Sequence, residues 1–185
     1  MVEFMVLSAP RSGSTWVANW LTTERVLCLH DPILEHKPED LDALTWPPCR
    51  HSPGYSPAVD RLFGIACTGL GLLTAFVNAH PARKVIVHRD FRDINESLMS
   101  LGLTRVIAKR WEQALNAIDG MHVQYADLFQ GGLAEPIYEH LTHLPFDAVR
   151  HEQLKDMHIE PMFDEVKVVP ERAREFRKRV TEALA

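Results

Sequence analysis

The sequence predicts an α/β fold: a central parallel β-sheet flanked by helices. Three observations predict it. Apolar runs such as Phe4-Met5-Val6-Leu7 and Val85-Ile86-Val87 are continuous rather than alternating, as in strands buried on both faces. Helical patterns separate these runs, and alternation of strand and helix is the signature of βαβ units. The 185 residues, 46% hydrophobic and 24% charged, suit a single domain with a full core.

Taken in order, residues 3–8 are expected to form a strand, broken by Ala9 to Gly13 before a helix over 14–21. A second strand at 26–29 ends in His30-Asp31-Pro32. Residues 37–57 are rich in proline and polar side chains and read as a long substrate or mobile loop, with a helical turn near 39–44. A strand at 63–67 and a helix at 70–79 follow, then a strand at 84–88 that ejects Arg89 at its end. A helix over 93–101 is expected to start with a capping box made by Asp93 and Glu96. Beyond it the pattern gives an amphipathic helix at 105–119, a strand at 123–126, helices at 133–144 and 146–157, and a charged helix at 171–184. No internal repeat or domain linker interrupts the series.

The formal net charge of −5 supplies no global basic field to recruit nucleic acid or an anionic membrane, so any anion site has to be local. Three cysteines without C-x-x-C spacing make neither a disulfide framework nor a zinc site, which points to a reducing, cytoplasmic setting. The N-terminal apolar run is too short for a signal peptide, and no run reaches the length of a membrane span.

The most informative stretch is Ser8-Ala9-Pro10-Arg11-Ser12-Gly13-Ser14-Thr15-Trp16, which reads as strand end, tight loop and helix start. Such a loop aims backbone N–H groups and the positive end of a helix dipole at one point. Gly13 permits close approach of an anion, Ser14 and Thr15 add hydroxyls, and Arg11 adds a guanidinium that can fork onto phosphate or sulfate oxygens. By itself the pattern fits equally a strand-to-helix turn with capping hydroxyls. The spacing of a Walker A nucleoside-triphosphate loop is not met, since no lysine follows Gly13. A second stretch, Val85-Ile86-Val87-His88-Arg89-Asp90-Phe91-Arg92-Asp93, puts Arg89 at a strand tip, with Ser97 on the next helix. Ligands of open α/β sheets gather at that edge.

Together these stretches resemble the PAPS-dependent sulfotransferases, enzymes that use 3'-phosphoadenosine 5'-phosphosulfate. Ala9 to Trp16 is similar to that family's 5'-phosphosulfate loop, P-[KR]-[ST]-G-[ST]-T-x, and the Arg89–Ser97 interval is similar to its R-[DN]-P-[RK]-D-x-x-x-S, with Phe91 in place of the proline. Val123-Gln124-Tyr125-Ala126-Asp127-Leu128 is similar to V-x-Y-E-D-L, with Ala126 in place of the glutamate. The family's C-terminal R-K-G-x-x-G-x-W loop has no counterpart, the basic run Arg177-Lys178-Arg179 included. The resemblance implies a P-loop-like sulfotransferase fold and transfer of a sulfuryl group from PAPS to a hydroxyl or amine, leaving PAP and needing no metal. It implies that Arg11 and Ser12 to Thr15 hold the phosphosulfate, that Arg89 and Ser97 hold the 3'-phosphate, and that Trp16 and Tyr125 border the nucleotide.

An acceptor needs a base within hydrogen-bond reach. The residues for it cluster after the second strand: Asp31 and Glu35 foremost, His30 and His36 behind them. Trp46, Pro47, Pro48 and Tyr55 are candidates for the wall of a small-molecule or carbohydrate acceptor site. Two other readings share parts of the pattern, a nucleotide kinase and a non-catalytic module that binds PAP or PAPS. The histidines show no metal-ligand spacing, and the pattern leaves acceptor identity and oligomeric state open.

Overall fold

A computed structural model describes residues 1–44, 61–157, 159 and 170–183. Most of the loop expected at 37–57, with Trp46, Pro47, Pro48, Cys49 and Tyr55, lies outside the described residues. So does the end of the expected helix at 171–184.

Among the described residues five strands form the sheet: β1 (Phe4–Ser8), β2 (Val26–His30), β3 (Leu62–Cys67), β4 (Arg83–His88) and β5 (Met121–Gln124), in the order β2-β3-β1-β4-β5. Every neighbouring pair is parallel. All five residues of β1 are buried, which is why its sequence is an unbroken apolar run. Its side chains still alternate between faces. Met5 and Leu7 join one core with Ile65, Ile86, Ile94, Trp111 and Leu115. Phe4 and Val6 join another with Trp16, Trp20, Val85, Ile137 and Leu141. The α/β fold with a central parallel sheet and flanking helices is therefore as expected.

The helices are α1 (Ser14–Leu21), α2 (Thr74–Ala79), α3 (Phe91–Ser100), α4 (Ala108–Asn116), α5 (Gly131–Thr142), α6 (Ala148–Leu154) and α7 (Pro170–Ala183). Arg150 of α6 closes the far end of α1: its guanidinium donates to the carbonyls of Asn19 (2.8 Å), Trp20 (3.3 Å) and Thr22 (2.9 Å). These are carbonyls that a helix end otherwise leaves without partners. No helix among the described residues is long and apolar enough to cross a membrane.

Local departures from the expected elements have visible causes. The capping box expected from Asp93 and Glu96 does not form; the cap is Asp90, whose carboxylate accepts from the Arg92 N–H at 2.7 Å, so the helix begins earlier. Glu96 pairs instead with the exposed Arg92. The helix expected at 70–79 is a 3-10 turn over Leu70–Leu72 followed by α2, with Leu73 non-helical between them. Gly71 in that turn makes room for Leu115, since a Cβ there would lie 2.8 Å from its Cδ2. The last strand ends at Gln124, because Asp127 accepts the Gln124 N–H at 2.7 Å and draws Tyr125–Phe129 into a 3-10 turn.

Candidate functional site

The chain leaves β1 toward β2 on one side of the sheet and leaves β4 toward β5 on the other. The carboxyl ends of these adjacent strands are a topological switch point, where open α/β sheets form their ligand crevice. A cavity of about 410 Å³ opens there, within the range of small-molecule sites. Arg11, Gly13, Ser14, Thr15, Trp16, Asp31, Arg89, Ser97 and Tyr125 all line it.

The loop after β1 is shaped by its backbone. Arg11 (φ 63) and Gly13 (φ 80) both take left-handed conformations. At Gly13 glycine is required twice over: the positive φ favours it, and a Cβ would lie 2.8 Å from Tyr125 Cε2. Gly13 is also the N-cap of α1 and has no side chain to cap it, and Gly13 to Trp16 at this helix start line the cavity. Ser12 differs from its neighbours. Its side chain is buried, does not line the cavity, and its Oγ has no hydrogen-bond partner among the described residues.

The two strand tips are tied together. Arg11 Nε donates to Ser97 Oγ at 3.0 Å, and an Arg89 N–H donates to the Arg11 carbonyl. The Arg89 guanidinium carbon sits 4.4 Å from the Tyr125 ring centroid, a cation–π contact that holds it in the crevice. Two guanidinium groups from segments far apart in sequence thus converge on one cavity, and local positive charge appears on a chain that is negative overall. Trp16 contributes an edge to the wall while serving the core: its indole N–H donates to the Leu154 carbonyl at 2.8 Å, and its ring lies 4.7 Å from Phe129.

The acidic candidates separate. Asp31 lies at the cavity, in a left-handed turn (φ 44). Its Oδ1 accepts from the Thr68 N–H at 2.6 Å, and the Thr68 hydroxyl lies 3.1 Å from both carboxylate oxygens. Glu35 is exposed and is not among the lining residues. His36 lies against Phe176 and Arg179 of α7, away from the crevice. His30, by contrast, lines the cavity beside Ser14 and Thr15. In the basic run of α7, Arg179 pairs with Glu39, which holds the Glu39 carboxyl below the usual range, and Lys178 reaches Glu182.

No family model matches the chain, and no curated protein matches it. Among the described residues no group of three or more histidine, cysteine or acidic side chains is placed to hold a metal. Cys28 and Cys67 are buried free thiols whose burial pushes both pKa values up, so neither is a ready nucleophile.

Sequence reasoning did not find Thr68, Leu98, Leu103, Phe129, Met157 and Ile159, which also line the cavity. Thr68 was discoverable only through sheet order, which sets the end of β3 beside the end of β2. Leu98 and Phe129 directly follow stretches that carry the motifs, while Leu103, Met157 and Ile159 lie in segments whose own patterns carry no sign of a site.

Proposed function

We propose that the chain is a sulfotransferase of the PAPS-dependent, P-loop-like type, moving a sulfuryl group from PAPS to a hydroxyl or amine acceptor. The observation that carries this reading is the pair of cationic stations at one crevice, Arg11 with the start of α1 and Arg89 with Ser97, joined by the Arg11–Ser97 hydrogen bond. PAPS presents two anionic groups on one adenosine, and this donor set fits it. Arg11 and the first-turn N–H groups of α1 hold the phosphosulfate end. Arg89 and Ser97 hold the 3'-phosphate. Tyr125, Phe129 and the edge of Trp16 supply the flat apolar wall that a purine packs against.

When bound, PAPS supplies an activated sulfuryl group with a good leaving phosphate. The protein's share is positioning and electrostatics, as in phosphoryl transfer. Arg11 and the α1 amides stabilise charge on the departing phosphate. The loop's strained turn holds these donors in place beforehand, so they need little reorganisation.

The deciding experiment is a thermal-shift comparison of PAP, PAPS, ATP and ADP, followed by calorimetry. A ligand at a hundred times its Kd stabilises the native state by about 2.7 kcal/mol. PAP and PAPS are expected to raise Tm, and ATP to have little effect. A shift with ATP and magnesium but none with PAP would replace this reading with a kinase-type one.

A further inference from the structure

Three oxygens surround a single nitrogen at the tip of β2. His30 Nε2 lies 3.0 Å from Ser14 Oγ, 3.2 Å from Thr15 Oγ1 and 3.2 Å from Asp31 Oδ2. The two kinds of oxygen serve different states of the nitrogen. A hydroxyl donates to an imidazole lone pair or accepts from an imidazole N–H, while a carboxylate only accepts. Nε2 therefore has a partner both before and after it gains a proton, as a proton-transferring group requires.

The neighbours hold this arrangement. The Thr68 N–H and hydroxyl bind the Asp31 carboxylate, fix its orientation and draw on its charge, so it can stand beside an unprotonated nitrogen. The hydroxyls on the other side belong to Ser14 and Thr15, the first residues of α1. That puts Nε2 one hydrogen bond from where the phosphosulfate end would rest. Asp31 is turned to Thr68 and His30 and so serves as their partner, and Glu35 is outside the cavity.

We propose that His30 takes the acceptor's proton during transfer, with Asp31 and Thr68 as positioning residues that act through it. This rests on the nucleotide reading above. In the step, the acceptor oxygen or nitrogen forms a bond to sulfur while the bond from sulfur to the bridging phosphate oxygen breaks. That electron pair leaves on the phosphate of PAP. The acceptor's proton goes to Nε2, the imidazolium pairs with Asp31 Oδ2, and the proton later passes to solvent.

The test has a binding arm, a labelling arm and a kinetic arm, all on the full chain. Calorimetry with PAP on wild type, His30→Gln, Asp31→Asn and Thr68→Val should give affinities within about threefold of one another, showing that each variant is folded with its pocket intact. Diethyl pyrocarbonate, which acylates unprotonated imidazole, should label His30 in the free protein, with saturating PAP slowing the labelling severalfold. PAPS consumption with 2-naphthol as probe acceptor should fall about a hundredfold in kcat for His30→Gln, with KM for PAPS little changed. Thr68→Val should lower kcat about tenfold and Thr68→Ser should restore it, a rescue that a purely structural role would not show.

Two results overturn the assignment while leaving the pocket reading intact: PAP binds but the wild type consumes no PAPS, or His30→Gln turns over like wild type. Labelling of His30 that ignores PAP also overturns it. If PAP fails to bind the wild type, the nucleotide reading falls first and takes this proposal with it.

Discussion

His30 closes β2 and His88 closes β4, on opposite sides of β1 in one sheet. Each is followed within two residues by an aspartate, Asp31 and Asp90. The surroundings are otherwise unlike. His30 Nε2 meets two hydroxyls and a carboxylate. His88 Nε2 meets another imidazole, His122 Nδ1, at 2.8 Å, with the rings stacked 5.1 Å apart. The His122 Nε2 lies 2.9 Å from the Ile118 carbonyl, which can only accept, so that nitrogen carries a proton. Burial first, and His122 second, hold the His88 pKa below the ordinary imidazole value. The aspartates differ as well: Asp31 binds Thr68 across to β3, while Asp90 caps the helix that follows it. His30 lines the crevice and His88 does not, so a place at a strand tip is not enough, and the neighbours decide what the residue does there.

Four measurements break or sharpen this contrast, from the largest effect to the smallest. Asp31→Asn turns a charged, partly buried acceptor of the Thr68 N–H into a neutral one. It should cost about 2 kcal/mol in urea unfolding, the scale of hydrogen bonds to charged groups. An unchanged midpoint would mean that the β2 tip is not held by this carboxylate. At the other tip the proposed function gives the ligand contact to Arg89 rather than His88. Arg89→Ala, like Arg11→Ala, should weaken PAP binding at least tenfold, about 1.4 kcal/mol, whereas His88→Gln should stay within threefold by the same calorimetry. Asp90→Ala should lower stability by about 1 kcal/mol, as loss of an N-cap does, with little effect on PAP affinity.

The smallest effect is the response to pH. Unfolded, His88 takes up a proton near the ordinary value of 6.5; folded, its pKa is lower. Between those two values the unfolded state binds more protons, so stability present above pH about 6.5 is lost as the pH falls through the window. His122→Gln removes the repulsion but not the burial. The acid-side loss measured by denaturation at a series of pH values should therefore shrink without vanishing. A steeper loss in the variant would contradict this account of the pair.

Much of the fold was legible because buried parallel strands must be apolar throughout, and β1 and β4 announce themselves in that way. The loop after β1 was legible for a related reason, since few residues other than glycine tolerate the conformation at Gly13. Other features depend on partners distant in sequence. Asp93 and Glu96 have the spacing of a capping box, but Asp90, three residues earlier, satisfies the helix end first. His30 looked like a lesser candidate than Glu35 because reach along the chain says nothing about which way a 3-10 turn faces. The turn over Pro32–Leu34 leaves Glu35 exposed, while the end of β2 keeps His30 beside α1. Thr68 became visible only once β3 lay between β1 and β2.

The Tyr125 ring that forbids a side chain at residue 13 also bears on biosynthesis. The loop of the cradle is synthesised well before its floor, which comes from a turn more than a hundred residues later. Until that turn docks, Gly13 lacks the ring it packs against, and contacts so distant in sequence form late. A nascent chain halted before Tyr125 should be blind to any ligand of this crevice, and the onset of binding would mark the moment when the sheet has closed.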